Sequence, residues 1–159
     1  MLTCHPTTEE EKYEIGTWKY PGAYAIYDSE PYEAAKRRGF GFANPANHFY
    51  SFYDGETLVG FINLTLYEGE SEVFFGIGVH PAHCGCGYGK QMVSAARRMA
   101  ARQYPGRALF LEVRTWNTRA VRCYESAGFQ IVGEPVHRTT ALGDGEFYRM
   151  RAAWEDPER

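Results

Sequence analysis

The feature that most constrains this chain is a glycine-rich segment, residues 80–91, with the sequence His-Pro-Ala-His-Cys-Gly-Cys-Gly-Tyr-Gly-Lys-Gln. It lies where a predicted strand ends and a predicted helix begins. Alternating glycines let the main chain come close to a ligand, and the first N–H groups of a helix have no partner inside the helix. Such a turn binds phosphate without many cationic side chains. The alternative is a turn that only changes the direction of the chain.

Two common nucleotide-binding motifs do not fit this segment. A Walker loop ending in Gly89 and Lys90 fails, because the chain has Cys84 and Gln91 where glycine and serine or threonine are required. A dinucleotide fingerprint also fails, because it needs a later glycine or alanine that is missing whether the motif begins in the segment or earlier, at Gly76. The segment therefore does not match a nucleotide-binding loop of the Walker or the dinucleotide type.

The length of 159 residues predicts a single domain over residues 1–159, and the order of strands and helices predicts a mixed α/β sheet. The predicted helices run from Thr7 or Thr8 towards Trp18, over 29–39, over 88–102 and over 118–127. The predicted strands cover 48–53, 57–67, about 72–79, 108–113, 129–132 and 147–153.

The charge balance argues against nucleic acid and membrane surfaces as partners. Lys and Arg number 17 and Asp and Glu number 20, a formal net charge of −3, which provides no basic field. Apolar runs are far shorter than the ~20 residues of a membrane span. The first residues lack the pattern of a secretion signal, and cysteines without one are expected to be reduced. We therefore expect a cytoplasmic protein.

From Val79 through Gly89 the segment resembles the pyrophosphate loop of the GNAT superfamily of acetyl-CoA-dependent N-acetyltransferases. The family pattern is Gln or Arg, two residues, Gly, one residue, Gly. This chain matches it at Gly87 and Gly89 and has Cys84 at the Gln or Arg position. That departure removes a polar side chain but not the main-chain amides, so the resemblance still implies coenzyme A binding.

A second segment resembles the part of the family that follows, and is most similar to the enzymes that acetylate ribosomal-protein N-termini. The resemblance covers residues 48–133 approximately. It implies the GNAT fold, a central twisted mixed sheet flanked by helices, and acetyl transfer from acetyl-CoA to a primary amine without a metal. The matching residues are Leu111, Glu112, Val113, Arg114, Asn117, Ala120 and Tyr124 to Phe129.

The resemblance also implies which residues bind the cofactor. Glycines inside the strand that ends at Val79 indicate a bulge or a close backbone approach, and in the family the strands part there, so that main-chain N–H groups face the pantetheine and the thioester carbonyl. Close packing of the strand on a helix is the alternative. The expected cofactor-binding residues are Ile77, Gly78, Val79, Cys84, Gly85, Cys86, Gly87, Tyr88, Gly89, Lys90 and Asn117; for Asn117, capping of the following helix is an equal alternative.

Acetyl transfer to an amine needs a base for the amine and an acid for the departing thiolate. Tyr124 is the candidate acid, since a phenol stays protonated at neutral pH; the alternative is a core tyrosine. Glu112 is the candidate base, and the alternative is a carboxylate paired with Arg114 or Arg122. Glu72 is the reserve base.

Several alternatives stay open at this point. His80, His83, Cys84 and Cys86 are potential zinc ligands, although structural zinc sites usually pair ligands from two separated segments. The aromatic residues between Trp18 and Tyr32 would either line the acceptor pocket or plug the sheet. A non-catalytic acyl-CoA-binding or sensing module is the alternative function. The acceptor, a small-molecule or peptide amine, is open, as is the oligomeric state, with a homodimer as one alternative.

Overall fold

A computed structural model describes residues 1–85, 87–140 and 143–158. Its strands are β1 (Leu2–Pro6), β2 (Phe49–Asp54), β3 (Thr57–Thr65), β4 (Val73–Val79), β5 (Leu109–Arg114), β6 (Gln130–Thr140) and β7 (Gly143–Ala152). Its α-helices are α1 (Glu9–Ile15), α2 (Tyr32–Arg38), α3 (Tyr88–Gln103) and α4 (Thr118–Ser126). Short 3-10 turns cover Gly22–Tyr27, Gly41–Ala43 and Pro81–His83. Among the described helices none is long and apolar enough to cross a bilayer.

The sheet is mixed, which confirms the predicted α/β class. Its strands follow the order β1-β2-β3-β4-β5-β7-β6. β4 and β5 pair in parallel, whereas the pairs β1–β2, β2–β3, β5–β7 and β6–β7 are antiparallel. The chain divides into two compact units, unit 1 with Met1–Thr65 and Ile77–Gly89 and unit 2 with Leu66–Gly76 and Lys90–Arg159. The expectation of one domain stays a prediction.

Unit 1 is organised around the β1-β2-β3 meander. Gly55 adopts a φ of 61° in the turn between β2 and β3, a left-handed conformation that glycine tolerates best. Ile15, Trp18 and Leu58 form a buried cluster, against which Phe42, Tyr53 and Phe61 pack. Helix α1 ends at Ile15 and not near Trp18, because Trp18 instead packs as a core residue beyond the helix.

A buried carboxylate ties β1, α1 and β2 together in unit 1. Glu11 is 6% exposed and completes a capping box with Thr8 at the start of α1. Its carboxylate also accepts hydrogen bonds from His5 Nε2 at 2.8 Å and from the Tyr53 hydroxyl. Burial raises the pKa of Glu11, but the hydrogen bonds outweigh it and lower the pKa to about 2.

Unit 2 packs α3 and α4 with the strands β5, β7 and β6 and the first half of β4. The apolar face of its sheet is buried at β4, β5 and β7, and Phe75 stacks on Phe129 at 6.1 Å between ring centroids. Helix α3 buries residues at helical spacing, as its sequence predicts. The residues of these two buried surfaces include Val73, Phe75, Leu111 and Met150 on the strands and Met92, Val93, Ala96 and Ala100 on α3.

The last two strands are much longer than the predicted 129–132 and 147–153. The structure has a hairpin of Gln130–Thr140 and Gly143–Ala152. The register shifts between Val132 and Val136, where Gly133 has a φ of 69°. β6 is almost entirely exposed, so it lacks the apolar alternation on which strand prediction depends. β1 is missed for the same reason, since its residues are mostly exposed.

We expect Glu11→Gln to lower the free energy of unfolding at neutral pH by about 2 kcal/mol, because the amide cannot replace a charged acceptor. The folded pKa of about 2 lies below the ordinary value of 4.5, so the carboxylate stabilises the fold fully above pH 4.5 and loses this effect as the pH falls towards 2. The free energies of unfolding of wild type and variant, measured with urea, would therefore converge as the pH falls over that range.

The matched control for this measurement is Glu10→Gln, which removes an exposed carboxylate from the same helix. We expect it to change the free energy of unfolding by less than about 0.5 kcal/mol at every pH. A gap between wild type and the Glu11 variant that did not change with pH would contradict the assigned network.

Candidate cofactor and active site

The end of β4 is shaped by a close approach between two strands of unit 1. A Cβ added at Gly78 would lie 2.4 Å from Cε1 and 2.6 Å from Cζ of Phe61 on β3. The Phe61 ring is itself held among Trp18, Phe42 and Phe49. The glycine is therefore required by a ring on the neighbouring strand, not by a helix as the sequence alternative supposed. Within unit 2, residues 73 and 74 of β4 pair in parallel with β5.

The loop after β4 is held by short local contacts. His80 donates its main-chain N–H to the Val59 carbonyl at 2.8 Å, and its Nδ1 accepts from the Ala82 N–H at 3.0 Å. The Cys84 thiol lies 3.5 Å from the His80 carbonyl and 3.8 Å from that of Val79. These contacts keep the loop compact before it enters α3.

The glycines of the loop adopt conformations that other residues rarely tolerate. Gly85 and Gly87 both have a φ of 83°. A Cβ added at either residue would meet nothing within 4 Å, so these glycines are needed for their backbone angles and leave open space beside the main chain. Tyr88, the first residue of α3, donates its hydroxyl to Asp54 Oδ2 at 2.6 Å. The expected cofactor residue Cys86 lies outside the described residues.

A residue that sequence analysis did not single out reaches the end of β4. The Tyr20 hydroxyl donates to the Val79 carbonyl at 2.7 Å. Burial, and then the nearby Cys84 and Asp28, raise the pKa of Tyr20, so its phenol stays protonated and a donor. Trp18 packs edge-on against His80 at 4.8 Å and is 4% exposed. At these two positions the aromatic run supports β4 and plugs the core.

The zinc alternative finds no support in the residues that the structure describes. Among them no group of three or more His, Cys, Asp or Glu side chains could hold a metal ion. The rings of His80 and His83 lie 5.0 Å apart, and burial is the main reason why the pKa of His80 is lowered.

Tyr124, the candidate acid, lies on α4 in unit 2. Its ring is half-buried and packs edge-on against Phe75 at 6.5 Å and Phe129 at 6.1 Å. Its main-chain carbonyl accepts from the N–H groups of Ala127 and Phe129, which closes the end of the helix. The ring therefore has the packing of a core tyrosine, while the role of its hydroxyl stays a prediction.

Asn117 caps the helix that carries Tyr124. Its Oδ1 accepts from the Ala120 N–H at 3.3 Å, and the residue is buried. This confirms the capping alternative. Cofactor binding by the same side chain stays a prediction.

Glu112, the candidate base, is held by an arginine from β6. Arg138 donates Nε to Oε1 at 2.7 Å and Nη2 to Oε2 at 2.5 Å. Sequence analysis named Arg114 or Arg122 as the possible partner of Glu112. The structure shows neither of them in that place. Arg114 is buried with its guanidinium 4.7 Å from the centroid of the Phe147 ring. Arg138 was missed because β6 was expected to end at residue 132.

Glu72, the reserve base, is also paired in unit 2. It accepts from Arg149 Nη2 at 2.9 Å and from Arg151 Nε at 2.5 Å. Burial raises the pKa of Glu72, but these two arginines lower it by more. A carboxylate with a lowered pKa is a weaker general base, so this pairing disfavours Glu72 in that role.

Comparison with known proteins bears on the family and the fold of this chain. The model of the acetyltransferase (GNAT) family matches residues 10–129. The chain is 34% identical over 119 residues to the N-alpha-acetyltransferase RimI of Mycobacterium tuberculosis, an alignment that covers 72% of each chain.

Two solved structures share the fold. The spermidine N-acetyltransferase from Vibrio cholerae in complex with CoA and spermine has a TM-score of 0.72 at 19% identity, covering 99% of this chain and 98% of that one. The ribosomal-protein-S18-alanine N-acetyltransferase from Escherichia coli has a TM-score of 0.67 at 18% identity, covering 98% and 95%.

We expect Gly78→Ala to lower the free energy of unfolding by about 1–3 kcal/mol, because the new methyl group overlaps the Phe61 ring. Phe61→Leu should relieve part of this overlap. Urea unfolding of wild type, both single variants and the double variant would then give a coupling of more than about 0.5 kcal/mol. Additive effects would contradict the close approach.

Proposed function

We propose that this chain, which belongs to the acetyltransferase (GNAT) family, transfers the acetyl group of acetyl-CoA to a primary amine by direct attack in a ternary complex. Its family model covers residues 10–129, and membership confirms the expected family, fold and enzyme class, an N-acetyltransferase. The observation that carries the proposal is the loop after β4, which turns through left-handed glycines directly into a helix of 16 residues.

The loop suits a diphosphate because its contacts come from the main chain. Gly85 and Gly87 leave open space at their Cβ positions, and the first N–H groups of a helix have no partner within it. We therefore infer that N–H groups of the loop and of the start of α3 bind an anion. Cys84 takes the place of the family's polar residue and packs on the loop's own carbonyls. We infer that residues from Cys84 to Lys90 bind the pyrophosphate of the cofactor, with Asn117 as a further contact.

The main chain at the end of β4 is the proposed oxyanion site. N–H groups around Ile77, Gly78 and Val79 would donate to the thioester carbonyl as its oxygen gains negative charge. Tyr20 supports this geometry, since its hydrogen bond to the Val79 carbonyl limits rotation of the last peptide of the strand. Donors that are fixed in advance stabilise a developing charge without a cost of reorganisation.

The proposed chemistry forms one C–N bond and breaks one C–S bond. The neutral amine attacks the thioester carbon, and the tetrahedral intermediate expels the coenzyme A thiolate. Tyr124 gives its phenolic proton to the sulfur, and Glu112, directly or through water, takes a proton from the amine nitrogen. Proton exchange with water then restores both side chains.

The acceptor class is best sought first among α-amines. An α-amine with a pKa near ~8 is far easier to deprotonate at neutral pH than a lysine near ~10.4. The relative that is 34% identical is named as an N-alpha-acetyltransferase, which supports this choice. Cytoplasmic location, homodimer formation and a single domain over residues 1–159 stay predictions.

Tyr124→Phe should lower kcat for an amine acceptor by about 100-fold, because the thiolate then leaves without its acid. Acetyl-CoA affinity in calorimetry should stay within about twofold, since the ring packing is kept. Tyr104→Phe, which removes a phenol from another part of unit 2, is the control. Unchanged turnover would remove the catalytic role from Tyr124, and cofactor binding without thiol release for any amine would favour a sensing module.

Glu112→Gln should lower kcat/KM by about 100-fold or more, because the amide cannot accept the amine proton. Glu72→Gln is the matched comparison on the same unit and should keep kcat/KM within about threefold. If the large loss came with Glu72→Gln instead, the base would be Glu72.

A further inference from the structure

We propose that Arg138 selects acceptors that carry an anionic group close to the reacting amine, and that this group releases Glu112 by taking its place on the guanidinium. The inference rests on the proposed function of Glu112 as the base. It concerns the chemical class of the acceptor, an amine with a carboxylate or similar anion nearby, which the comparisons leave open.

The geometry shows why Glu112 needs to be released. Both carboxylate oxygens of Glu112 accept from Arg138, at 2.7 and 2.5 Å, in the forked arrangement that guanidinium and carboxylate form. Each oxygen that is used in this way is less able to accept a proton from an amine. The Glu112 side chain is 20% exposed and that of Arg138 is 50% exposed, so a ligand reaches the arginine more easily than the glutamate.

The surface around this pair carries an excess of arginine. Glu112 lies opposite Arg149 in the register of β5 and β7, so both side chains lie on one face of the sheet. Arg149 shares the single carboxylate of Glu72 with Arg151. The described charged residues that these contacts and registers assign to this face, and that are not buried, are Glu72, Glu112, Arg138, Arg149 and Arg151, a net charge of one plus.

This charge distribution distinguishes acceptors that carry an anionic group from acceptors that carry only positive charge. An anionic group on the acceptor can replace the Glu112 carboxylate on Arg138, because one charge-assisted fork is exchanged for another. The Glu112 oxygens are then available to the amine beside them. A purely cationic acceptor has no group to offer Arg138 and is repelled by the net positive charge of this face, so specificity uses both attraction and repulsion.

Matched acceptors test the inference through initial rates of coenzyme A release. Glycyl-glutamate amide and glycyl-glutamine amide have the same size and α-amine and differ by one charge, and glycyl-lysine amide supplies the cationic case. We expect kcat/KM for the glutamate peptide to exceed that for the glutamine peptide by about tenfold in wild type, and the lysine peptide to be poorer still. The rates with β-alanine and β-alaninamide compare an anionic with a neutral small-molecule acceptor. They show whether the preferred anion belongs to a small molecule or to a peptide.

Arg138→Gln should reduce the preference for the anionic peptide to less than about twofold. Arg102→Gln removes one exposed arginine from α3, changes the net charge equally, and should keep the full preference. Equal rates with anionic and neutral acceptors in wild type, or an unchanged preference in Arg138→Gln, would overturn the inference.

Failure of the proposed function has a different signature, namely no coenzyme A release from wild type with any amine. Calorimetry with the two peptide amides then still decides on Arg138. Tighter binding of the glutamate peptide by wild type but not by Arg138→Gln supports the anion site, and equal affinities overturn it.

Discussion

The candidate site depends on how the main chain leaves β4. At this point the Val59 carbonyl on β3 accepts a hydrogen bond from the His80 N–H, and the Tyr20 hydroxyl donates one to the Val79 carbonyl. These bonds fix both sides of the last peptides of the strand. The loop that follows contains glycines with positive φ, a conformation that other residues rarely adopt and that costs entropy to fix.

Much of the fold could be predicted where burial leaves a pattern. Helix α3 shows apolar residues at helical spacing because one side of it is buried, and α2 ends at Gly39, which has a φ of 70° as a helix cap requires. The hairpin of β6 and β7 could not be bounded, since exposed strands need no alternation of apolar residues. β1 has the same explanation, because its pairing with β2 is made by main-chain groups that carry no sequence signal.

The residues of the candidate site also fall into those that a local sequence pattern reveals and those that it does not. The glycine loop was recognisable because left-handed angles demand a particular residue type, whereas Tyr20 and Arg138 are ordinary residues whose roles depend on tertiary contacts. Arg138 reaches Glu112 across 26 positions of sequence, and Tyr20 reaches Val79 across 59. No local spacing predicts such pairs. An arginine partner for Glu112 was the alternative to its role as the base, and the identity of that arginine, Arg138, followed only from the hairpin.

The course of β1 has a practical consequence for handling the protein. Leu2 pairs with Asp54, and Asp54 in turn accepts from Tyr88 at the entrance to α3. A purification tag fused ahead of Met1 would emerge beside these residues, close to the loop that we propose to bind the cofactor, where its charges and bulk would compete with a diphosphate. Affinity measurements therefore call for a cleavable leader or a tag at the other end of the polypeptide.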